Sequence, residues 1–251
     1  MILRSRLATL YRRALGSLYS RTVLLGNRGP IVSFTFDDFP RTAFTVGGTI
    51  LKNCGARGTY YVAIGLMNTT NELGDQFSPE DLNSLLEEGH ELGSHTFSHI
   101  SCRSVSCSTF QEDIKRGRRA IQEVTGVVDS GNFAYPFGHV TLSSKKALGQ
   151  DLASCRSIFP GINGPSVDLN LLKANRLYGD LDKSAQAERL IVDNEKQKSW
   201  LIFYSHDVRP KPSAYGCTPS LLESAASFAV RRGCRVMTIG NVLAELGVHC
   251  D

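Results

Sequence analysis

The chain has 251 residues, of which 41% are hydrophobic and 21% charged, values typical of one globular domain. The net charge is +4, and the first 36 residues hold six arginines and no acidic residue, so the remainder is close to neutral. These numbers exclude an extended basic surface for nucleic acid. No uncharged apolar run reaches about 18 residues, which excludes a membrane-spanning helix.

Residues 1–28 form the most basic part of the chain and are predicted to be an amphipathic helix, in which Leu3, Leu7 and Leu10 lie on one face. Packing of this helix on the rest of the chain is the favoured interpretation. The alternative is weak peripheral contact of residues 1–25 with an anionic membrane face. Residues 29–251 are predicted to form one separate domain.

The seven cysteines are spread thinly and include no CxxC pair, so we predict free thiols rather than disulfides or a thiolate metal site. Free thiols are typical of a reducing compartment. The first residues also lack the unbroken apolar stretch of a secretory peptide. The sequence therefore predicts a cytoplasmic protein, and the inner membrane face is the alternative location.

Short apolar strands alternate with helices after residue 29. The clearest helix start is Ser78, because Pro79 follows it and Glu80 and Asp81 lie in the first turn. The predicted strands are 31–36, 58–62, 90–94, 132–135, 153–157, 177–179, 200–204 and 235–238, and the predicted helices are 45–53, 79–89, 110–125, 144–150, 184–197 and 219–232. This alternation predicts a parallel sheet or barrel, with catalytic groups at the carboxyl ends of the strands.

Residues with useful chemistry stand at those strand ends. Asp37 and Asp38 follow the first strand, and as neighbours they point in different directions, so one can hold a metal while the other faces a water molecule. His95 and His99 are four residues apart, and in a helix both imidazoles would lie on one face. With Asp38 they supply three ligands and leave positions open, the layout of a catalytic metal site. His206 follows an apolar strand, where it could donate a proton.

Four segments, SFTFDD, GSHTFSH, FAYPFG and FYSHD, resemble in order and spacing the motifs of the polysaccharide deacetylase family. The resemblance covers residues 29–245. It implies an α/β fold, a distorted (β/α) barrel of about seven parallel strands. It also implies an N-acetylated carbohydrate substrate and a divalent metal, Zn²⁺ in the first place and Co²⁺, Ni²⁺ or Mn²⁺ as alternatives.

The same resemblance implies a role for each matching residue. Asp37 would be the general base and His206 the general acid, oriented by Asp207. The metal ligands would be Asp38, His95 and His99. The backbone N–H of Phe137 would stabilise the oxyanion, in a turn supported by Tyr135 and Pro136.

Three positions depart from the family pattern. Ala134 stands where many members carry an arginine that pairs with the base, and we predict that Arg41 or Arg176 supplies this charge. Phe39 replaces a glycine and is expected to narrow the site. Tyr204 replaces a leucine in the wall around the acetyl methyl group.

The predicted function is metal-dependent hydrolysis of the N-acetyl amide of an amino sugar. Hydrolysis of another non-peptide C–N bond is one alternative, because fold alone does not fix the substrate. A non-catalytic carbohydrate-binding protein is the other, although Asp37 and His206 argue against it because a binder needs neither base nor acid. Loops 66–76, 139–144 and 205–218 are predicted to recognise the substrate.

Overall fold

The structure is a computed structural model that describes residue 11, residues 14–128 and residues 130–248. Its strands are, in chain order, β1 (Thr22–Leu24), β2 (Ile31–Asp37), β3 (Thr59–Val62), β4 (Thr70–Asn71), β5 (Gly74–Asp75), β6 (Glu91–Ser94), β7 (Asn132–Ala134), β8 (Ser154–Arg156), β9 (Ser166–Asp168), β10 (Asn175–Arg176), β11 (Trp200–Ser205) and β12 (Arg235–Val236).

Seven parallel strands form a curled half-barrel in the order β10-β11-β2-β3-β6-β7-β8, and β12 pairs with the start of β2. This confirms the predicted distorted barrel. Strand β2 lies at the centre and all seven of its residues are buried. A strand buried on both faces reads as a continuous apolar run, which is why IVSFTF predicted it. Its carboxyl end places Asp37 at the top of the barrel.

The helices cover the outside of the sheet. They are α1 (Thr49–Asn53), α2 (Pro79–Glu87), α3 (Cys107–Thr125), α4 (Leu142–Asp151), α5 (Ser184–Gln197), α6 (Pro219–Arg231) and α7 (Ile239–Glu245). A turn with π-type hydrogen bonds, Ala43–Gly48, precedes α1. The predicted start of α2 is confirmed, because Ser78 and Asp81 form a reciprocal capping box. In the described residues, no helix has the length and apolarity needed to cross a bilayer.

The prediction for β10 was displaced by two residues. The strand is Asn175–Arg176, in register with Phe203 and Tyr204, rather than 177–179. Directly after it the Leu177 N–H still donates to the Tyr204 carbonyl of β11 at 2.8 Å, and the N–H of Gly179 donates to the carbonyl of Gly216. Leu177 is buried and Tyr178 is half-buried.

The N-terminal segment packs on the barrel as far as it is described. Residues 14–17 are helical, and the buried Leu15 joins the core beside α4. The fully buried Lys145 donates to the Leu15 carbonyl and to Asp168, both at 2.6 Å. The predicted helix over 1–28 is wrong in its second half, where β1 pairs with β9 and a 3-10 turn follows. Leu3, Leu7 and Leu10 lie outside the described residues, and membrane contact stays a prediction.

Candidate active site

The first catalytic segment is the turn after β2. Asp38 and Phe39 both have left-handed backbone conformations, with φ of 62° and 54°. That conformation explains why a glycine suits position 39. The Phe39 ring is fully buried and stacks on Phe77 at 5.2 Å between ring centroids. The expectation that Phe39 narrows the site is wrong, because its ring points into the core.

The two histidines of HTFSH meet through a loop rather than a helix. Strand β6 ends at Ser94, and no residue from 95 to 99 is helical. Thr96 and His99 have φ of 67° and 52°, which folds the chain back on itself. The imidazole centroids of His95 and His99 are 5.0 Å apart. The predicted closeness is therefore present, but the helical explanation for it is wrong.

Asp38, His95 and His99 form a cluster that fits a divalent cation. Their candidate ligand atoms all lie within 4.8 Å of one another. Asp38 Oδ1 is 3.4 Å from His95 Nε2 and 3.0 Å from His99 Nε2. His95 Nδ1 donates to the carbonyl oxygen of Ala134 at 2.8 Å, which leaves the Nε2 lone pair free. A hydrogen bond of this kind fixes a metal-binding imidazole in the required tautomer.

The protonation states of Asp38 and His95 suit metal ligands, whereas Asp38 favours the protonated form of His99. Burial lowers the pKa of His95 to about 4, so that imidazole is neutral at pH 7. Burial would raise the pKa of Asp38, but the hydrogen bond from His99 and the nearby imidazoles hold it well below its usual value. Burial would likewise lower the pKa of His99, and the hydrogen bond to Asp38 raises it instead. An ionised carboxylate and a neutral imidazole are the forms that bind metals.

Asp37 is paired with a residue that the sequence analysis missed. The guanidinium of Arg156, at the end of β8, donates to Asp37 Oδ1. Arg156 is fully buried, and its guanidinium carbon lies 5.0 Å from the Tyr61 ring and 5.2 Å from the Tyr204 ring. In the pairing of β7 with β8, Arg156 is opposite Ala134. The arginine expected at position 134 is thus supplied from the neighbouring strand.

Neither arginine predicted for this role contacts Asp37. Arg41 pairs with Asp81 at 3.0 Å, outside the barrel mouth. Arg176 is exposed and lies in register with Tyr204 on the edge strand β10. A signal for Arg156 was present in the sequence, because it falls inside the predicted strand 153–157. An arginine in a buried strand needs an anionic partner.

His206 follows the end of β11 and faces the cluster formed by Asp38, His95 and His99. Its Nε2 is 3.9 Å from Asp38 Oδ2, and its Nδ1 donates to the carbonyl of Tyr215 at 3.1 Å. Asp207, which was predicted to orient His206, makes no hydrogen bond to it among the described contacts. The fully buried Asp207 carboxylate instead accepts from Ser213 N at 2.9 Å and pairs with Arg209 at 2.7 Å. It holds the loop that presents the Tyr215 carbonyl.

One open cavity of about 340 Å³ contains the predicted residues. Its lining includes Asp37, Asp38, His95, His99, Phe137, Tyr204 and His206, together with Glu72, Leu73, Gly138, Ile158, Tyr178 and Tyr215, which the sequence analysis did not single out. Residues of loops 66–76 and 205–218 therefore line the cavity, and their recognition of the substrate stays a prediction. No described residue of loop 139–144 does.

The turn after β7 carries Phe137, whose φ is 58° and whose ring is 56% exposed. This ring lies 4.5 Å from the His99 ring, between their centroids. Tyr135 and Pro136 are buried behind the cavity rather than on its wall, and the Tyr135 N–H donates to the Arg156 carbonyl at 3.1 Å. Their observed contribution is to fix the turn.

Comparison with known proteins shows that this chain is similar to carbohydrate deacetylases. The sequence profile described as polysaccharide deacetylase matches residues 26–152. A chitin deacetylase from Colletotrichum lindemuthianum is 24% identical over 229 residues, which cover 86% of this chain and 80% of that protein. A peptidoglycan-N-acetylglucosamine deacetylase from Bacillus cereus is 29% identical over 98 residues, 39% of this chain and only 42% of that protein.

The fold agrees with a solved structure. A family 4 acetyl xylan esterase from Clostridium thermocellum, in complex with a cobalt ion, has a TM-score of 0.61 and 20% identity. The similarity covers 88% of this chain and 94% of the esterase. Because the family profile spans half of the sequence and its segments meet in one cavity, this chain belongs to the polysaccharide deacetylase family.

Proposed function

We propose that this protein is a metal-dependent hydrolase that removes the acetyl group from N-acetylated amino sugars in a glycan, oligosaccharide or glycolipid. The observation that carries the proposal is the meeting of one base, one acid and three metal-binding groups in one cavity: Asp37, His206, Asp38, His95 and His99. The membership in the polysaccharide deacetylase family and the two similar deacetylases support the substrate class.

Asp38, His95 and His99 would hold the ion. When bound, a divalent cation supplies Lewis acidity to the acyl carbonyl and to the attacking water. Two imidazoles and a carboxylate suit Zn²⁺, and they also accept Co²⁺, Ni²⁺ or Mn²⁺. We propose Zn²⁺ as the native metal, which elemental analysis of the purified protein would test.

Asp37 would act as the general base. One of its carboxylate oxygens accepts from the buried Arg156, which fixes the rotamer of the carboxylate. The other oxygen is available to take a proton from the water that attacks the acyl carbon. A positioned base of this kind contributes about 10²–10⁴-fold in rate.

His206 would act as the general acid. A carbonyl oxygen can only accept a hydrogen bond, so the contact with Tyr215 places a proton on Nδ1 and turns Nε2 toward the cavity. In the imidazolium form Nε2–H can protonate the departing amine, so that the products are acetate and a free amino group. The backbone N–H of Phe137 is the proposed donor to the oxyanion, a contribution of about 3 kcal/mol in other enzymes.

The direct test is acetate release from N-acetylglucosamine oligomers with and without a metal chelator. Release that the chelator abolishes and Zn²⁺ restores is the expected result, and the Asp37→Asn variant should release acetate about 10²–10⁴-fold more slowly. Release only from amides that are not sugars would move the substrate to another C–N bond. Sugar binding without turnover would make the protein a carbohydrate binder.

A further inference from the structure

Acidic side chains line the catalytic cavity, and basic side chains of lysine or arginine do not, among the described residues. The described lining residues include three carboxylates, Asp37, Asp38 and Glu72, and none of them is lysine or arginine. The Asp37 carboxylate is neutralised by Arg156 beneath the wall, and Asp38 contacts the imidazoles. Glu72 forms no ion pair with any described residue, and it is exposed at the mouth. Its charge therefore acts on whatever enters.

Glu72 is held in place by its hairpin and by the opposite loop. Strands β4 and β5 pair Thr70 with Asp75, and a guanidinium N–H of Arg209 donates to the Glu72 carbonyl at 3.3 Å. The charge of Arg209 is matched by the buried Asp207 at 2.7 Å. The backbone of the hairpin is thus held in place, and Glu72 lines the cavity beside the catalytic groups.

The units of an acetylated amino-sugar chain differ in charge according to their substituent. An N-acetylated unit is neutral, a unit with a free amino group is cationic at pH 7, and a unit that carries a carboxylic acid is anionic. A unit charge about 7 Å from a carboxylate, with a dielectric constant between that of water and half of it, changes affinity by about 3- to 10-fold. The sign of this effect depends on the neighbour of the reacting unit.

We propose that Glu72 makes the cavity select amino-sugar chains in which a unit next to the reacting one carries a free ammonium group, and reject chains with a carboxylate there. This inference rests on the proposed function and specifies its substrate class. Each deacetylation creates an ammonium group, so the first reaction on a chain favours a second one beside it. The products should therefore contain blocks of adjacent free amines.

A positively charged surface lies nearby and must be separated from this effect. Arg176 and Lys183 line a second cavity of about 330 Å³, which shares only Tyr178 with the catalytic one among their described lining residues. Lys183 is paired with Asp182 at 2.7 Å. If an anionic neighbour were bound there, Arg176 rather than Glu72 would set the charge preference.

The experiment compares kcat/KM for three kinds of disaccharide: two N-acetylglucosamine units, one unit of N-acetylglucosamine with one of glucosamine in both orders, and N-acetylglucosamine with N-acetylmuramic acid. In wild type, one glucosamine-containing dimer should exceed the neutral dimer by about 3- to 10-fold at low ionic strength, and less at high salt. Glu72→Gln should remove this difference. Asp75→Asn on the same hairpin, outside the cavity, should leave it unchanged.

A binding measurement decides the same point without turnover. Glucosamine trimer, which has no acetyl group, should bind about 3- to 10-fold more weakly to Glu72→Gln than to wild type. Equal binding, or a preference that changes with Arg176→Gln and not with Glu72→Gln, would overturn the inference. If no substrate releases acetate, the proposed function fails, and the trimer comparison still decides whether Glu72 selects a cation.

Discussion

The two sides of the catalytic cavity are built in different ways. The first side, here called the ligand side, contains Asp37, Asp38 and His95, which are 4%, 7% and 2% exposed. These residues lie at the carboxyl ends of the parallel strands β2 and β6. On the acid side, His206 is oriented by a backbone carbonyl from loop 205–218 and is surrounded by the rings of Tyr178 and Tyr215. The first side is fixed by strand register, and the second by a loop that a buried aspartate holds closed.

The difference shows where tolerance to change lies. On the ligand side two groups have a partner in the sheet: His95 donates to the Ala134 carbonyl, and Asp37 accepts from Arg156. The sheet cannot move one partner without the other, so disruption there should affect stability and activity together. On the acid side, changes in the loop should reduce turnover and leave metal binding intact.

The largest effect is expected from Asp37→Asn. An amide cannot accept the proton of the attacking water, so kcat should fall by about 10²–10⁴-fold. Metal content, measured by elemental analysis, should be unchanged because Asp37 is outside the ligand cluster. A variant that keeps a tenth of the wild-type kcat would show that another group is the base.

Arg156→Ala tests whether sheet register defines the ligand side. Removing one partner of a buried ion pair costs about 3–5 kcal/mol, which urea unfolding would measure. Without the guanidinium, the Asp37 carboxylate loses the donor that fixes its rotamer, so kcat/KM should also fall.

The double variant Ala134→Arg with Arg156→Ala is the matched control. It returns the arginine to the opposite position on the adjacent strand, and it should recover part of both the stability and kcat/KM. Recovery of stability without recovery of kcat/KM would assign Arg156 a structural role alone.

Asp207→Asn tests the acid side. The amide cannot pair with Arg209, and the loop that presents the Tyr215 carbonyl should loosen. A loss of about 1 kcal/mol in the positioning of His206 lowers kcat by about fivefold. The metal dissociation constant of Asp207→Asn should stay within error of the wild-type value. The Ser213→Ala variant, which removes a hydrogen bond to Asp207, should also keep the wild-type metal dissociation constant. Weaker metal binding in either variant would contradict the separation of the two sides.

A pH effect should arise at the opposite end of the strand that leads to His95. Burial lowers the pKa of His90 to about 4, against about 6.5 in an unfolded chain. The unfolded state therefore binds the proton more readily, and the stabilisation is complete above pH 6.5 and lost as the pH falls toward 4.

Between pH 7 and pH 5 this histidine should account for about 2 kcal/mol of lost unfolding free energy. Urea titrations of wild type and His90→Gln at both pH values would isolate its share from the other groups. The glutamine can still accept the hydrogen bond that the Gly58 N–H makes to Nδ1. Equal pH dependence in the two proteins would remove His90 as the cause.

The sequence predicted what depends on contiguous patterns. The barrel was predicted from the buried run of β2, the cap of α2 and the four motifs. The same patterns predicted that Asp38, His95 and His99 lie close together. Arg156 was missed because its role depends on which strands are neighbours in the sheet, and strand pairing cannot be deduced from the sequence alone. Glu72 and Tyr215 were missed because loops carry no periodic signal.

Local backbone conformation explains the other differences. The histidine segment was expected to be helical from its spacing, but Thr96 and His99 take left-handed conformations that spacing cannot reveal. Asp207 follows His206 in the chain, yet its carboxylate turns toward Ser213. Adjacency in sequence predicted a contact that the direction of the side chain prevents.

The Phe39 ring has a consequence for metal affinity. A left-handed residue that is not glycine costs about 1–2 kcal/mol, and here the aromatic cluster around Phe77 offsets that cost. The bend that aims the Asp38 carboxylate is thus maintained by the packing of the next residue, Phe39, against Phe77. By thermodynamic reciprocity, an ion that favours this bend also stabilises the aromatic packing around Phe39 and Phe77. Heating that disrupts this packing should therefore lower the affinity for the ion.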